Sequence, residues 1–344
     1  MQALLPRPDF VVGIDIAATS FTVSWAQRDA LPSRAHTFEQ SPTGFQALRD
    51  LLASHKLDPA STLIVLEATS TYWVALAVEM HNAGFSLCVA NPRHVHAYAQ
   101  SLPRRAKTDP RDAQLLVLFG HERADKLPRW TPPAQIYHEL RQRLSVRESL
   151  MQLRVQARNQ RHALEQWPVQ IEAALAPLTA VIEDLQARLD SLEREIATIL
   201  RDGAWATSAG LLSSIIGIGP LTTATLLVTT LNFQLAPKVE SLAAYAGLVP
   251  LPRDSGSSVR GRRTIGAEGN RQLRRALYLA TLSAAQYNPV IRAFYQRLRA
   301  SGKPIKVARC AAARKLLYLA WAVVTKGEPF DPDYQAKRVA GVVG

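Results

Sequence analysis

The chain contains little cysteine: only Cys88 and Cys310 among 344 residues. The two lie far apart in apolar surroundings, so they form neither a zinc-ligand spacing nor a disulfide framework. This excludes a zinc finger and a disulfide-stabilised secreted domain. A reducing cytoplasm is the expected compartment.

Long apolar runs are also missing. One of the most apolar stretches, residues 221–231, is interrupted by threonines and is too short to span a bilayer. The first residues lack the charged start and apolar centre of a signal peptide. We therefore expect a cytoplasmic protein that makes no use of a membrane.

Acidic residues are scarce relative to basic ones. Asp and Glu number 28 against 41 Lys and Arg, which gives a formal net charge of +13. A charge of this size attracts a polyanion, and nucleic acid is the usual one. The alternative is a basic protein without a polyanionic partner.

Strand and helix patterns alternate in the N-terminal region. Apolar runs at residues 10–15, 63–67 and 85–90 predict buried strands, and residues 21–26 and 36–38 predict antiparallel neighbours of the first. Helical spacing covers residues 44–55 and 72–83. These patterns predict an α/β domain with a mixed sheet over residues 1–127.

The remainder of the chain is predicted to be helical. Residues 128–204 contain two long helical segments, the second with apolar positions at heptad spacing from Ile182 to Ile199, and together they predict an antiparallel helical hairpin. The heptads fit an ordinary amphipathic helix inside a bundle and an intermolecular coiled coil equally well. Residues 205–344 predict a mainly helical domain that ends in a helix pair at 272–285 and 307–324. This domain includes a polar serine loop over 253–270 and a Gly217-Ile218-Gly219 turn that resembles a helix-hairpin-helix turn. The backbone amides of such a turn can bind DNA phosphate, and tight helix packing explains the glycines equally well.

Four carboxylates stand at the ends of the α/β elements. Asp15 and Glu67 close apolar strands, where a carboxylate without a partner is costly. Asp109 and Asp112 occupy the first turn of a predicted helix, with Thr108 as its N-cap, and their spacing places both on one face. Hard oxygen ligands of this kind suit Mg²⁺ and phosphodiester cleavage. Alternatively, the two helix residues complement the helix dipole, and the strand residues are ordinary strand ends.

Basic side chains cluster near both candidate segments. A positive surface beside the carboxylates suits a nuclease that acts on a polyanion. The density of arginines from residue 253 onward suits a loop that contacts phosphates, although a solvated Ser/Gly loop is an alternative. The candidate nucleic-acid-binding residues are Arg104, Arg105, Lys107, Arg253, Arg260, Arg262, Arg263, Arg271 and Arg274.

Four motifs together closely resemble the signature of one known family. They are Gly13-Ile14-Asp15-Ile16-Ala17, Leu66-Glu67-Ala68-Thr69, Asn91-Pro92 and Lys107-Thr108-Asp109-Pro110-Arg111-Asp112-Ala113. The family is that of the DEDD transposases of insertion-sequence family one-ten, relatives of the Piv-type invertases. The resemblance implies an RNase H-like, RuvC-like N-terminal domain whose four carboxylates, Asp15, Glu67, Asp109 and Asp112, bind Mg²⁺. The chain departs from the common family pattern at Ala18 and Ser70.

Two further segments of this chain resemble a second signature of the same family. They are Ala246-Gly247-Leu248-Val249-Pro250 and, following it, Ser255-Gly256-Ser257-Ser258. The resemblance implies that Ser255 is a nucleophile that links covalently to DNA. Only the resemblance selects Ser255 over Ser257 and Ser258. Serine attack on a phosphodiester requires removal of the hydroxyl proton and a polarised phosphate.

The resemblance also implies the partners. These are donor and target DNA, a structured guide RNA encoded by the element, and further copies of the chain in a dimer or tetramer. The protein would then associate with the nucleoid when bound to DNA. The expected function is therefore transposition of an insertion sequence by cutting and religating DNA.

Three other functions fit part of the sequence. A RuvC-like junction resolvase explains the carboxylates but leaves the last 140 residues without a role. An actin-like sugar kinase shares the strand that ends at Asp15, but its phosphate hairpin needs a glycine where this chain has Ala17. A DNA-binding protein on an inactive nuclease scaffold is disfavoured because all four carboxylates are present.

Overall fold

The structure is a computed structural model of the chain. It describes residues 7–68, 70–102, 109–235, 238–250, 254–255, 259–260, 265–266 and 268–334, with only the backbone at 109, 110, 254, 255, 259 and 260. The chain divides into two compact units, Met1–Pro132 and Pro133–Gly344. Trp130 belongs with the first unit, because its backbone N–H donates to the Leu87 carbonyl at 2.7 Å.

A mixed five-stranded sheet forms the centre of the first unit. Its strands are β1 (Phe10–Ile16), β2 (Ser20–Gln27), β3 (His36–Glu39), β4 (Thr62–Glu67) and β5 (Ser86–Ala90). Their order is β3-β2-β1-β4-β5. Strand β2 runs antiparallel to its neighbours β1 and β3, whereas β4 runs parallel to its neighbours β1 and β5. The predicted mixed sheet and RNase H-like α/β fold are confirmed.

Helices cover both faces of this sheet. They are α1 (Pro42–Ser54), α2 (Trp73–Asn82), α3 (Pro92–Ser101) and α4 (Asp109–Arg123), with a short 3₁₀ turn at Pro59–Ser61. Helices α1 and α2 pack on the face that bears Val12 and Ile14. Helices α3 and α4 pack on the opposite face, which bears Val11 and Val65. Helix α3 was not predicted, although Asn91 caps it by accepting from the Arg93 N–H at 2.9 Å.

The second unit begins with an antiparallel pair of long helices, α5 (Gln135–Glu165) and α6 (Glu172–Asp202). Arg143 pairs with Glu195 at 3.0 Å and Arg147 pairs with Glu193 at 2.7 Å, which fixes the antiparallel register. Leu185, Leu189 and Ile196 of the heptad positions are buried. The predicted helical hairpin is therefore present within one chain.

Shorter helices complete the second unit. They are α7 (Ala206–Ser213), α8 (Pro220–Thr230), α9 (Val239–Tyr245), α10 (Arg271–Tyr287), α11 (Pro289–Ala300) and α12 (Ile305–Lys326), with a small hairpin of β6 (Asp254–Ser255) and β7 (Val259–Arg260). One apolar core joins these helices to the base of the α5–α6 pair. Among the described residues, no helix combines the length and apolarity needed to cross a membrane.

The two predicted final helices, 272–285 and 307–324, are present as α10 and α12, but a helix that was not predicted, α11, lies between them. Asn288 follows the last residue of α10 and also caps α11, where its side-chain oxygen accepts from the N–H groups of Val290 and Ile291 at 3.1 and 3.2 Å. Pro289 then occupies the first turn of α11, where its missing N–H costs nothing. Because Asn288 both ends α10 and caps α11, no loop separates these two helices.

A set of close contacts joins the two ends of the polar segment 251–267. We call it the loop-base clasp; its residues are Tyr245, Gly247, Gly269, Asn270 and Arg274. The Asn270 backbone N–H donates to the Tyr245 carbonyl at 2.7 Å, and the Asn270 side chain donates to the Tyr245 hydroxyl at 2.8 Å. Arg274 donates to the carbonyls of Ala246 and Glu268 at 3.3 and 2.7 Å.

The two clasp glycines permit this contact. A Cβ on Gly247 would overlap the Arg274 guanidinium and the Glu268 carbonyl, and a Cβ on Gly269 would lie 2.6 Å from the Gly247 nitrogen. Both residues also have positive φ, +67° and +89°. The chain therefore needs glycine here for space as well as for backbone conformation.

Replacing Leu189 by Asp should destabilise the helical hairpin. Leu189 is 1% exposed, so the change buries a carboxylate in an apolar contact and should lower the free energy of unfolding by about 3 kcal/mol or more. Ala187→Asp, at an exposed position of the same helix, is the matched control. Urea unfolding of both variants measures the difference. Equal stability of the two would show that the buried heptad positions contribute nothing.

Replacing Gly247 by Ala should open the loop-base clasp. The added methyl group clashes with Arg274 and occupies a strained backbone conformation, at a cost of about 1–3 kcal/mol. Gly302→Ala is the control, since Gly302 has φ +78° but open space around its Cα. Thermal unfolding and limited proteolysis at residues 251–267 should distinguish the two. A similar loss in both variants would mean that backbone strain alone matters.

Candidate functional site

Asp15 and Glu67 occupy equivalent positions on neighbouring strands. Strands β1 and β4 are parallel with Ile14 opposite Leu66, so Asp15 and Glu67 are the next residue on each strand. Side chains alternate along a strand, and both carboxylates fall on the face that α4 covers. Each is half-buried. The sheet therefore presents two carboxylates side by side at the C-terminal edge of its parallel strands.

Helix α4 lies in backbone contact with this face. A Cβ on Gly13 would overlap the Ala113 carbonyl and lie 2.8 Å from the Val117 nitrogen. A Cβ on Gly120 would lie 2.6 Å from a methyl group of Val11. The helix consequently runs antiparallel to β1, and its first turn lies toward the end of the strand that bears Asp15. A glycine inside a strand often marks such a close approach.

The structure thus brings the beginning of α4 to the same edge as Asp15 and Glu67. Asp112 is half-buried in that first turn. The Asp109 side chain and the predicted cap Thr108 lie outside the described residues. Within the described side chains, no group of three or more His, Cys, Asp or Glu is arranged to hold a metal ion. The donor set is nevertheless of the right chemistry, because carboxylate oxygens are the ligands that hard divalent cations prefer.

Cationic side chains flank the same edge. Arg93, His94 and His96 are exposed on α3, which begins directly after β5, and Arg111 is exposed on α4. The Tyr98 hydroxyl donates to Glu122 at 2.6 Å and so ties α3 to α4. The predicted contacts Arg104, Arg105 and Lys107 lie between these helices in sequence and outside the described residues.

Ser255 lies at the end of β6. Its backbone pairs with Val259, and that of Asp254 pairs with Arg260, so three residues connect the two strands. The predicted contacts Arg253, Arg262 and Arg263 and the competing serines 257 and 258 lie outside the described residues. This hairpin was not predicted, because the segment has the composition of an irregular loop.

The two remaining predicted contacts differ in their surroundings. Arg271 is exposed at the first position of α10. Arg274 is half-buried, and its guanidinium donates to two backbone carbonyls of the loop-base clasp. Sequence reasoning missed the clasp, although the pair Gly247 and Gly269 on either side of the polar segment was a usable signal.

Neither cysteine is a candidate nucleophile. Burial raises the pKa of the Cys88 thiol to about 11, against an opposing effect of Arg129. Burial likewise raises the pKa of Cys310, and Arg274 opposes it. Because the thiolate is the reactive form, both thiols are inert near neutral pH.

The Gly217-Ile218-Gly219 turn has a packing role at its first glycine. Gly217 has φ +104°, and a Cβ there would lie 2.5 Å from the Ala284 methyl group. The Asn288 side chain also donates to the Ile216 carbonyl at 3.1 Å. Gly219 is exposed and has open space around it. Phosphate binding by this turn stays a prediction.

Two family models match the chain. The DEDD transposase model of IS110 type, described as Transposase, matches residues 12–166. The model described as Transposase IS116/IS110/IS902 family matches residues 209–296. The first match spans Asp15, Glu67, Asp109 and Asp112, and the second spans Ser255.

Relatives extend over nearly the whole chain. The pilin gene-inverting proteins of Moraxella bovis and Moraxella lacunata are each 30% identical over 322 residues, which cover 93% of this chain and 97% of each relative. An insertion element IS110 protein of 43.6 kDa from Streptomyces coelicolor is 33% identical over 172 residues, which cover 50% of this chain and 40% of that protein.

The DEDD domain indicates the use of a divalent metal ion in general, and a transposase family implies a DNA substrate. The chain belongs to the IS110 family of DEDD transposases and is a DNA transposase or recombinase.

Proposed function

We propose that this chain moves an insertion sequence by cutting and rejoining DNA with Mg²⁺-bound carboxylates and a covalent serine–DNA link. The observation that supports it most directly is the convergence of Asp15, Glu67 and the first turn of α4 at one edge of the sheet. The Moraxella relatives are gene-inverting proteins, and the inversion of a gene is also a cut-and-rejoin reaction on DNA.

Asp15, Glu67, Asp109 and Asp112 are the residues that would hold Mg²⁺. When bound, the ion supplies positive charge that polarises the scissile phosphate. In the proposed reaction the Ser255 oxygen forms a bond to phosphorus, its proton passes to a base, and the bond to one deoxyribose oxygen breaks. That oxygen takes up a proton. Rejoining is the reverse step, with a deoxyribose hydroxyl of another strand displacing the serine.

Arginines around Ser255 suit the charge that develops on the phosphate. Arg260, Arg262 and Arg263 are close to Ser255 in sequence, and cationic donors of this type stabilise a phosphorane-like transition state. Gly256 permits close approach of the backbone to a phosphate. The loop-base clasp would support this segment by holding its two ends together.

Further partners are proposed on the family resemblance. They are a structured guide RNA and additional copies of the chain, in which the serine of one copy complements the carboxylates of another. The net charge of +13 is compatible with binding RNA as well as DNA.

Removing one carboxylate charge should abolish cleavage without unfolding the protein. Asp112→Asn keeps the shape of the side chain but loses an anionic ligand. The rate of DNA cleavage in Mg²⁺ should therefore fall by about 100-fold or more, because even residues that only support metal ligands contribute about 10–100-fold. Asp50→Asn, at an exposed position of α1, is the control. A gel assay of strand cleavage, together with thermal unfolding, measures both effects. Wild-type cleavage by the Asp112 variant would contradict the proposed site.

Replacing Ser255 by Ala should abolish the covalent protein–DNA adduct while DNA binding persists, because only the attacking oxygen is lost. The measurement is trapping on a suicide substrate, proteolysis and mass mapping of the modified peptide. Ser257→Ala and Ser258→Ala are tested in parallel and should retain the adduct. An adduct on either of those serines would move the nucleophile. Cleavage by the wild type without any adduct would favour a water nucleophile and the resolvase alternative.

A further inference from the structure

The end of the second unit contains a long stretch without a single acidic residue. Between Glu268 and Glu328 there is no Asp or Glu, whereas lysine and arginine are frequent. The basic residues of this stretch are Arg271, Arg274, Arg275, Arg292, Arg297, Arg299, Lys303, Lys306, Arg309, Arg314, Lys315 and Lys326. These charges are therefore not balanced by neighbours in sequence.

Helix α11 presents part of this charge on one face. Ile291 is fully buried and Phe294 packs against the helical core, so the opposite side of α11 faces solvent. Arg292, Gln296 and Arg299 share that side at helical spacing of four and three, and all three are exposed. Lys303 and Lys306 continue the exposed charge into the first turn of α12. We call Arg292, Arg299, Lys303 and Lys306 the α11 basic face.

Within the part of the chain that the structure describes, carboxylates do not neutralise this face. The salt bridges there include Arg275 with Glu148 at 2.6 Å but none to a member of the α11 basic face. The α5–α6 hairpin differs, because several of its arginines pair with acids across or along the helices, as Arg143 does with Glu195 and Arg188 with Asp184. The positive potential therefore persists at α11 and is largely cancelled on the hairpin.

A second pair of cations, one from α11 and one from α12, lies close to the Phe294 ring of α11. The Arg297 guanidinium lies 5.4 Å from the centre of the Phe294 ring, and the Lys315 ammonium lies 4.8 Å from it. Burial lowers the pKa of Lys315, and repulsion by Arg297 lowers it further. The repulsion between these two cations falls when an anion, such as a phosphate, lies beside them.

The chemistry of the face favours duplex DNA. Helix α11 has 12 residues and so extends about 18 Å, a length over which a duplex presents several phosphates. Binding at a membrane surface requires a free apolar face, but that of α11 is already packed in the core. Single-stranded RNA is usually held by exposed aromatic rings, whereas Tyr295, which stands at helical spacing from Arg292 and Arg299, is half-buried.

We propose that the α11 basic face binds the phosphate backbone of duplex DNA without reading its sequence. The proposal rests on the proposed DNA recombination and adds to it a contact separate from the serine segment. Backbone contacts of this kind hold a duplex in register, while other elements choose the site.

The test is the salt dependence of binding to a DNA duplex of about 30 base pairs, with EDTA present so that no strand is cut. The variant R292Q/R299Q/K306Q removes three charges at exposed positions and keeps good helix formers. Its affinity should fall by at least about tenfold, and the slope of log K against log salt should become shallower by about 2–3. The control R188Q/R194Q/R201Q removes the same charge from α6 and should change affinity less than about twofold.

A charge-conserving variant, R292K/R299K, should bind duplex DNA like the wild type, because neutralising phosphate requires charge rather than the guanidinium fork. Unchanged affinity and slope in the glutamine variant would overturn the proposal, as would an equal loss in the α6 control. A loss confined to RNA binding would also overturn it. These binding measurements do not depend on cleavage. If no serine–DNA adduct formed, the proposed recombination would be overturned, but the result for DNA binding by α11 would be unaffected.

Discussion

The contact between helix α4 and the centre of the sheet determines where the candidate site lies. Gly13 and Gly120 remove the two side chains that would otherwise hold the helix away from β1. Any larger residue at either position would push α4 outward, because both contacts involve backbone or branched side chains that cannot give way. The first turn of α4 then reaches the edge that bears Asp15 and Glu67.

The second unit relies on a comparable device. Gly247 and Gly269 let two backbone segments touch, and Arg274 fills the remaining space with hydrogen bonds to the carbonyls of Ala246 and Glu268. In both units, close packing anchors the end of a segment that contains candidate functional residues. Reacting groups need to be placed to within about 0.5 Å, and close packing at the end of a segment is one way to provide that precision.

The distribution of charge separates the structural cations from those open to a polyanion. On the α5–α6 hairpin, Arg143, Arg147 and Arg188 are matched by carboxylates one turn away or on the facing helix. The described cations of the α11 basic face have no such match. A formal net charge of +13 does not distinguish these cases, since it counts a paired arginine and an unpaired one equally.

Local patterns in the sequence determined the elements and the placement of the carboxylates at their ends. The strand that ends at Asp15, the strand that ends at Glu67 and the heptad positions of α6 were all predictable, because alternation and helical spacing depend on a few neighbouring residues. The combination of motifs also indicated the family. Helices α3 and α11 were missed, since Asn91 and Asn288 resemble loop residues until their capping bonds are seen.

Only the tertiary structure decided which residues share a surface. The sequence places Arg274 among the arginines of a phosphate-binding loop, but long-range packing turns its guanidinium to two backbone carbonyls. The direction of α4 along β1 and the unmatched charge of α11 likewise depend on contacts between residues distant in sequence. The spacing of apolar residues within one element does not predict these contacts, because they form only when separate segments are packed against one another.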